Sequence, residues 1–211
     1  MDIYSDLKDS ISKDLQRCVE FHGHLCPGLV YGYLVAKEAA DLLDLHRSHD
    51  EEVVAIAEND SCAVDGLQVI LGTTAGKGNL KIENYGKNAY TILSRSHKKG
   101  YRFSRTEFYN YKGEKKEKFD KLDKAISDGT ASNKEKQTHK MLKTKDLLSR
   151  PFDEVFSTHE IDFFMPPYAP LARSEACAKC GEMTMSTKMV SGKDGALLCI
   201  PCSKSESRVN S

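Results

Sequence analysis

The sequence predicts an α+β fold with a small cysteine-rich unit at its C-terminal end, and three observations carry that expectation. Amphipathic helical stretches and short β-branched runs mix along the first 165 residues without the regular strand and helix alternation of a doubly wound sheet. Residues 106–150 are rich in Lys and Glu, with apolar residues at irregular helical spacing. Four of the seven cysteines crowd into the last 35 of 211 residues, in two pairs.

Ile3, Leu7, Ile11, Leu15 and Val19 recur at four-residue steps, which predicts an amphipathic helix over residues 5–20. It delivers the chain to His22-Gly23-His24-Leu25-Cys26-Pro27-Gly28, where proline suits a first helical position and Leu29, Val30, Tyr33, Leu34 and Leu43 carry a second helix to about 44. Val53–Glu58 is nearly continuous and β-branched, the signature of a buried strand. Residues 61–72 read as a helix capped by Asp60 or Ser61. Gly72–Asn79 reads as a loop, followed by strands at 80–85, 89–94 and 100–105 with Gly-containing turns between them. Two or three polar helices then fill 106–150, Pro151 ends them, and Ile161–Met165 is a short apolar piece. The expected domains are a core over 1–165, a stiff proline-rich linker over 166–173, and a cysteine unit over 174–204.

Lys+Arg and Asp+Glu cancel at 31 each, which removes a global electrostatic argument for nucleic acid or an acidic membrane. The cancellation hides an asymmetry: residues 95–149 carry 16 basic and 8 acidic side chains, and residues 1–94 carry 8 and 15. No apolar run approaches the roughly 18 residues of a membrane span, and the acidic N-terminus has no leader pattern, so no membrane partner is expected and the expected location is cytoplasmic.

Cys177-x2-Cys180 and Cys199-x2-Cys202 place two thiolate knuckles at the ends of an 18-residue insert. Four sulfurs so spaced close a tetrahedron around one Zn²⁺, with Gly181 and the turn at residues 191–195 suited to a zinc ribbon. Such a site has no vacant position and is expected to be structural.

His22, His24 and Cys26 alternate over five residues, and in an extended segment alternation puts all three on one side. Two imidazoles and a thiolate suit Zn²⁺ or a similar divalent ion and leave a fourth position open. A nucleophilic Cys26 assisted by His24 is the chemical competitor, its thiolate favoured by the helix that begins at Pro27. Cys62 and Asp65 lie one helical turn apart just after the predicted strand, where a second thiol and a carboxylate are candidates to complete or orient the site. The Gly72–Asn79 loop fails the P-loop pattern, because no Ser or Thr follows Lys77; Lys77 is a weak candidate for holding an anionic ligand. His46, His49, His97, His139 and His159 stand alone in polar surroundings and read as surface residues.

Phe21–Gly28 with Tyr31-Gly32, then Asp60–Gln68, then Gly76–Leu80 and Tyr85-Gly86-Lys87, resembles the FmdE family of formylmethanofuran dehydrogenase proteins over nearly the whole of residues 10–105. The terminal cysteine element is similar to the zinc ribbon that many members append, sometimes classed with DksA/TraR-type fingers. The resemblance implies an α+β core whose cleft is lined by His22, His24, Cys26, Cys62 and Asp65. It also implies a homodimer, and proteins encoded near molybdenum or tungsten formylmethanofuran dehydrogenases or other molybdopterin enzymes. Relatives often carry Gly-Cys-Thr where this chain has Gly72-Thr73-Thr74, which weakens paired-thiol chemistry here. The family name is not an activity, since the dehydrogenase's catalytic molybdopterin chain is a different polypeptide.

Three functions follow as expectations. The first is a metal-binding accessory to a molybdenum or tungsten oxidoreductase, with a structural zinc and a second divalent metal in the His/Cys cleft, where Cys26, His24 and Cys62 are the candidate catalytic groups. The second is a zinc-ribbon adaptor for nucleic acid or protein, less favoured because Glu alternates with Lys in the basic segment. The third is a thiol redox enzyme using Cys26.

Overall fold

The computed structural model describes residues 3–192 and 195–208, and their architecture is α+β. They form two compact units that divide between Tyr168 and Ala169.

The first unit opens with a short helix α1 (Ile3–Leu7) and a 3₁₀ turn, then α2 (Lys13–His22). The continuous helix expected over 5–20 is broken because Ser12 caps α2, its hydroxyl accepting from Leu15 N at 3.1 Å. Helix α3 (Pro27–Leu42) follows, with proline in its first turn as expected. Strand β1 (Val53–Ala57) leads to α4 (Ala63–Leu71), whose N-cap is Cys62 and neither Asp60 nor Ser61. Ser61 is held instead by Asn59, whose Oδ1 accepts from its backbone N–H and its hydroxyl.

Strands β2 (Leu80–Ile82), β3 (Ala89–Ser94), β4 (Lys99–Ser104) and β5 (Ser157–Glu160) complete a five-stranded sheet in the order β2-β1-β3-β4-β5. Only β1 and β2 run parallel. All five residues of β1 are buried because both faces are covered. Val53, Ala55 and Ala57 join Tyr90, Ile92 and Phe103 in the main core beneath the helices, and Val54, Ile56 and Leu93 meet Ile161 and Met165 on the other face. The apolar piece after β5 thus works as a lid over the sheet, which explains why β1 lacks alternation.

The Gly72–Asn79 loop is stitched to the segment before β1. Buried Asn79 donates to Asp50 O and Val53 O at 2.9 Å each and accepts from Thr74 N. Helices α5 (Lys116–Ser127) and α6 (Asn133–Ser149) form a hairpin around a satellite core of Tyr111, Phe119, Leu122 and Leu142. Ser132 and Glu135 close a capping box at the start of α6. His139, expected at the surface, packs on the Phe119 ring at 4.3 Å and faces Asp123.

The proline-rich stretch begins inside the first unit. An Arg95 guanidinium N–H donates to Pro166 O at 2.9 Å, and the guanidinium lies 3.9 Å over the Tyr168 ring. The second unit comprises the hairpin of β6 (Ser174–Ala176) with β7 (Met183–Met185), the hairpin of β8 (Met189–Ser191) with β9 (Leu197–Cys199), and α7 (Ile200–Arg208). Of the turn expected at 191–195, residues 193 and 194 lie outside the described residues. Among the described residues no helix is long and apolar enough to cross a membrane.

Candidate metal centre

Helices α3 and α4 cross at two glycines. A Cβ at Gly32 would lie 1.8 Å from Ala63 O, and one at Gly66 would lie 2.5 Å from Tyr33 N, so hydrogen alone fits between the backbones. The crossing brings the two helix N-termini together, Cys26 as N-cap of α3 and Cys62 as N-cap of α4. A Cβ at Gly28 would lie 3.6 Å from the Cys62 sulfur and 3.8 Å from the Cys26 sulfur, which places both thiols on one side of the first turn of α3.

Helix α2 supplies one imidazole, His22, and the turn after it supplies the other, His24. The helix ends at His22 because Gly23 takes the left-handed conformation (φ 91°), its N–H returning to Val19 O. The turn lays His24 against His22, ring centroids 4.5 Å apart, and buried Leu25 anchors the loop before Cys26. One nitrogen of each histidine and the Cys26 sulfur all lie within 4.8 Å of one another. The grouping predicted from alternation is present, but its cause is different: His22 is helical and the left-handed turn does the folding back.

Cys26 Sγ lies 3.8 Å from His22 Nε2. A tetrahedral ion with bonds of about 2.0–2.3 Å sets its ligands roughly 3.3–3.8 Å apart, so this edge fits a shared metal. The opposite ring nitrogen, His22 Nδ1, is 2.6 Å from Asp65 Oδ2, and Gln68 Nε2 donates to Asp65 Oδ1 at 2.9 Å. Asp65 therefore sits behind the histidine, holding the proton on Nδ1 and presenting the Nε2 lone pair to the site. Cys62 lies beside the three-residue group and touches the Cys26 thiol.

Burial pushes the Cys26 thiol up, with the nearby Cys62 adding to the rise, and the N–H of Leu29 donating to its sulfur at 3.4 Å only partly offsets this. The thiolate expected from the helix N-terminus is not favoured by these contacts, because burial outweighs one long N–H···S bond. A cation bound beside it would restore the thiolate by direct charge pairing.

Lys77 does not face this group. Its ammonium donates to Ser48 O at 3.0 Å and His49 O at 3.3 Å, tying the loop to the chain after α3.

In the second unit the sulfurs of Cys177, Cys180, Cys199 and Cys202 all lie within 4.8 Å of one another. Cys180 and Cys199 are 3.9 Å apart, the edge a four-thiolate ion requires. Backbone N–H groups of Cys180 and Cys199 aimed at the Cys177 sulfur bring its thiol down to about 6. The neighbouring Cys199 sulfur holds Cys202 up at about 12.

These two groups define an α+β protein with an open His₂Cys group in one unit and a closed four-cysteine cluster in the other. Residues 21–157 match the family described as FmdE, molybdenum formylmethanofuran dehydrogenase operon, and the chain belongs to that family. It is 30% identical over 204 residues to a probable S-adenosyl-L-methionine-binding protein of Archaeoglobus fulgidus, an alignment covering 94% of this chain and 54% of that protein. The chain thus spans about half the length of the curated relative it matches. A crystal structure of a tungsten formylmethanofuran dehydrogenase FmdE-like protein from Syntrophus aciditrophicus is similar in fold, with a TM-score of 0.56 at 18% identity over 89% of each chain.

Proposed function

We propose that this chain is a metal-binding accessory protein of a molybdenum or tungsten oxidoreductase, acting as a homodimer with two kinds of metal site. The observation that carries the reading is the convergence of His22 Nε2, a His24 nitrogen and Cys26 Sγ with Asp65 behind His22. Such a set holds a divalent ion by three protein ligands and leaves one position exchangeable. Bound there, the ion would act as a Lewis acid and lower the pKa of a coordinated water. Asp65 fixes the His22 tautomer, Cys26 is buried, and His24 is exposed to solvent. The four-cysteine cluster holds zinc as a fold-forming ion.

Metal analysis of the purified chain tests this. About two ions per chain are expected, by the two ligand groups. The double variant His24→Ala/Cys26→Ala is expected to keep only the ion of the four-cysteine cluster; retention of both ions overturns the proposal.

A thiol redox reading has one observation in its favour, the contact between Cys26 and Cys62. It predicts selective alkylation of Cys26 in the metal-loaded protein at neutral pH, whereas a metal-held Cys26 is protected.

A further inference from the structure

A polar cavity, of about 300 Å³, opens where Tyr31 of α3, the chain following β4 and the C-terminal end of α6 meet. Its walls include Arg105, Tyr109, Lys112 and Arg150. Glu107, Asp153 and Glu154 also line it, at exposed positions, whereas two buried polar atoms have no partner among the described residues. Asp146, the carboxylate beside Arg150, is already engaged three times, by the Tyr109 hydroxyl, by Lys112 N and by the Arg150 guanidinium. Arg150 also donates to Asn110 O, yet its Nε has no partner among the described residues. The Tyr31 hydroxyl, on a residue only 7% exposed, has none either. Arg105 lies with its guanidinium 4.6 Å over the Tyr31 ring and gives one N–H to Glu107 O. Lys112 Nζ is committed to Glu154 at 2.6 Å.

Buried donors left unpaired are costly, and two lie here, the Tyr31 O–H and Arg150 Nε–H, beside the half-buried guanidinium of Arg105. Burial pushes the Tyr31 phenol up while Arg105 and Arg150 pull it down, so the hydroxyl keeps its proton in the field of two guanidiniums. The complement to a fork of donors and two cations is a group that only accepts and carries negative charge. The volume accommodates roughly ten water-sized groups, which suits a compact molecule and excludes a dinucleotide.

We propose that this cavity is a binding site for a compact oxyanion, a small carboxylate or phosphate compound, seated on Arg105, Arg150 and the Tyr31 hydroxyl. The site is built from residues other than the metal ligands and does not rest on the metal reading.

Calorimetric titration of the full-length, metal-loaded protein at constant ionic strength tests it, with inorganic phosphate and with acetate as the two probes. Saturable binding of one probe at one site per chain is expected, and which probe binds assigns the anion's chemistry. Arg105→Gln is expected to weaken it by about tenfold or more, through loss of a charge-assisted pair. Tyr31→Phe is expected to weaken it by about three- to tenfold, through loss of one donor. Both variants should keep the parent's circular dichroism and metal content, which separates a failure here from a failure at the metal centre. Absence of saturable binding for both probes, or binding that survives both substitutions undiminished, overturns the proposal.

Discussion

The α3/α4 crossing makes a demanding prediction, because a single added methyl acts on both the stability and the metal centre. In Gly32→Ala the new Cβ would sit 1.8 Å from Ala63 O and 2.5 Å from Ala63 C, where ordinary contact begins near 3.4 Å. The helices must part by about 1.5 Å to restore contact distance, and every side chain packed between them follows. Overpacking costs typically about 1–3 kcal/mol, and this clash, between two main chains, belongs at the upper end. Alanine's better helix propensity returns about 1 kcal/mol, leaving a net loss of about 2 kcal/mol. With a urea slope of about 1–3 kcal/mol/M, the midpoint of unfolding should fall by roughly 1 M. Gly76→Ala, whose Cβ would meet nothing within 4 Å, is the control and should shift stability by no more than about 0.5 kcal/mol. The same parting of helices separates Cys26 at the start of α3 from Asp65 of α4, which orients His22, so cleft metal should be lost more readily from Gly32→Ala than from the parent. If the urea midpoint and the metal content of Gly32→Ala both equal those of the Gly76→Ala control, the crossing does not organise the site.

Asp65→Asn should weaken cleft metal by about 10–100-fold, because it removes the carboxylate that fixes the His22 tautomer, and competition with a chelator reads the change. An affinity equal to the parent's would mean that His22 needs no orienting partner. Cys199→Ser should release the ion of the four-cysteine cluster and leave the C-terminal unit without protected amides in hydrogen exchange, since its few buried apolar residues cannot replace the metal. Slow exchange in that unit after metal loss would contradict this. Glu52 is lowered from 4.5 to about 2 by the Ser48 hydroxyl and by the N–H of Asp50. Its folded value is depressed, so its contribution is present above about pH 4.5 and disappears as pH falls toward 2, and solvent exposure keeps it small. The stability gap between the parent and Glu52→Gln should therefore narrow between about pH 6 and about pH 2.5; a gap independent of pH would refute the assignment.

Much of this fold is written in local patterns. The apolar run of β1, proline at the start of α3 and the strands at 89–94 and 99–104 all follow from periodicity and turn residues. The two cysteine knuckles announce their cluster by spacing alone. What stays hidden depends on contacts distant in sequence. Nothing in the order of residues places Gly32 against Ala63, so the meeting of Cys26 and Cys62 has no sequence-level signal beyond the resemblance. Asp65 is visible as a candidate ligand, yet its position on the far nitrogen of His22 requires the helix crossing. Lys77 looks free in a glycine-rich loop because the carbonyls that take its protons belong to Ser48 and His49. The break before α2 does have a local signal, since Ser12 three residues ahead of Leu15 is an ordinary helix cap; the unbroken apolar spacing from Ile3 to Val19 conceals it. His139 packs on Phe119 because α5 and α6 fold as a hairpin, which a polar, irregular pattern does not announce.

Anomalous diffraction at a metal edge on crystals of the whole chain tests the central claim most directly. Two peaks are predicted, one surrounded by the sulfurs of Cys177, Cys180, Cys199 and Cys202 and one held by His22 Nε2, a His24 nitrogen and Cys26 Sγ. A single peak in the C-terminal unit, with the His22 and His24 rings turned away from Cys26, would contradict it.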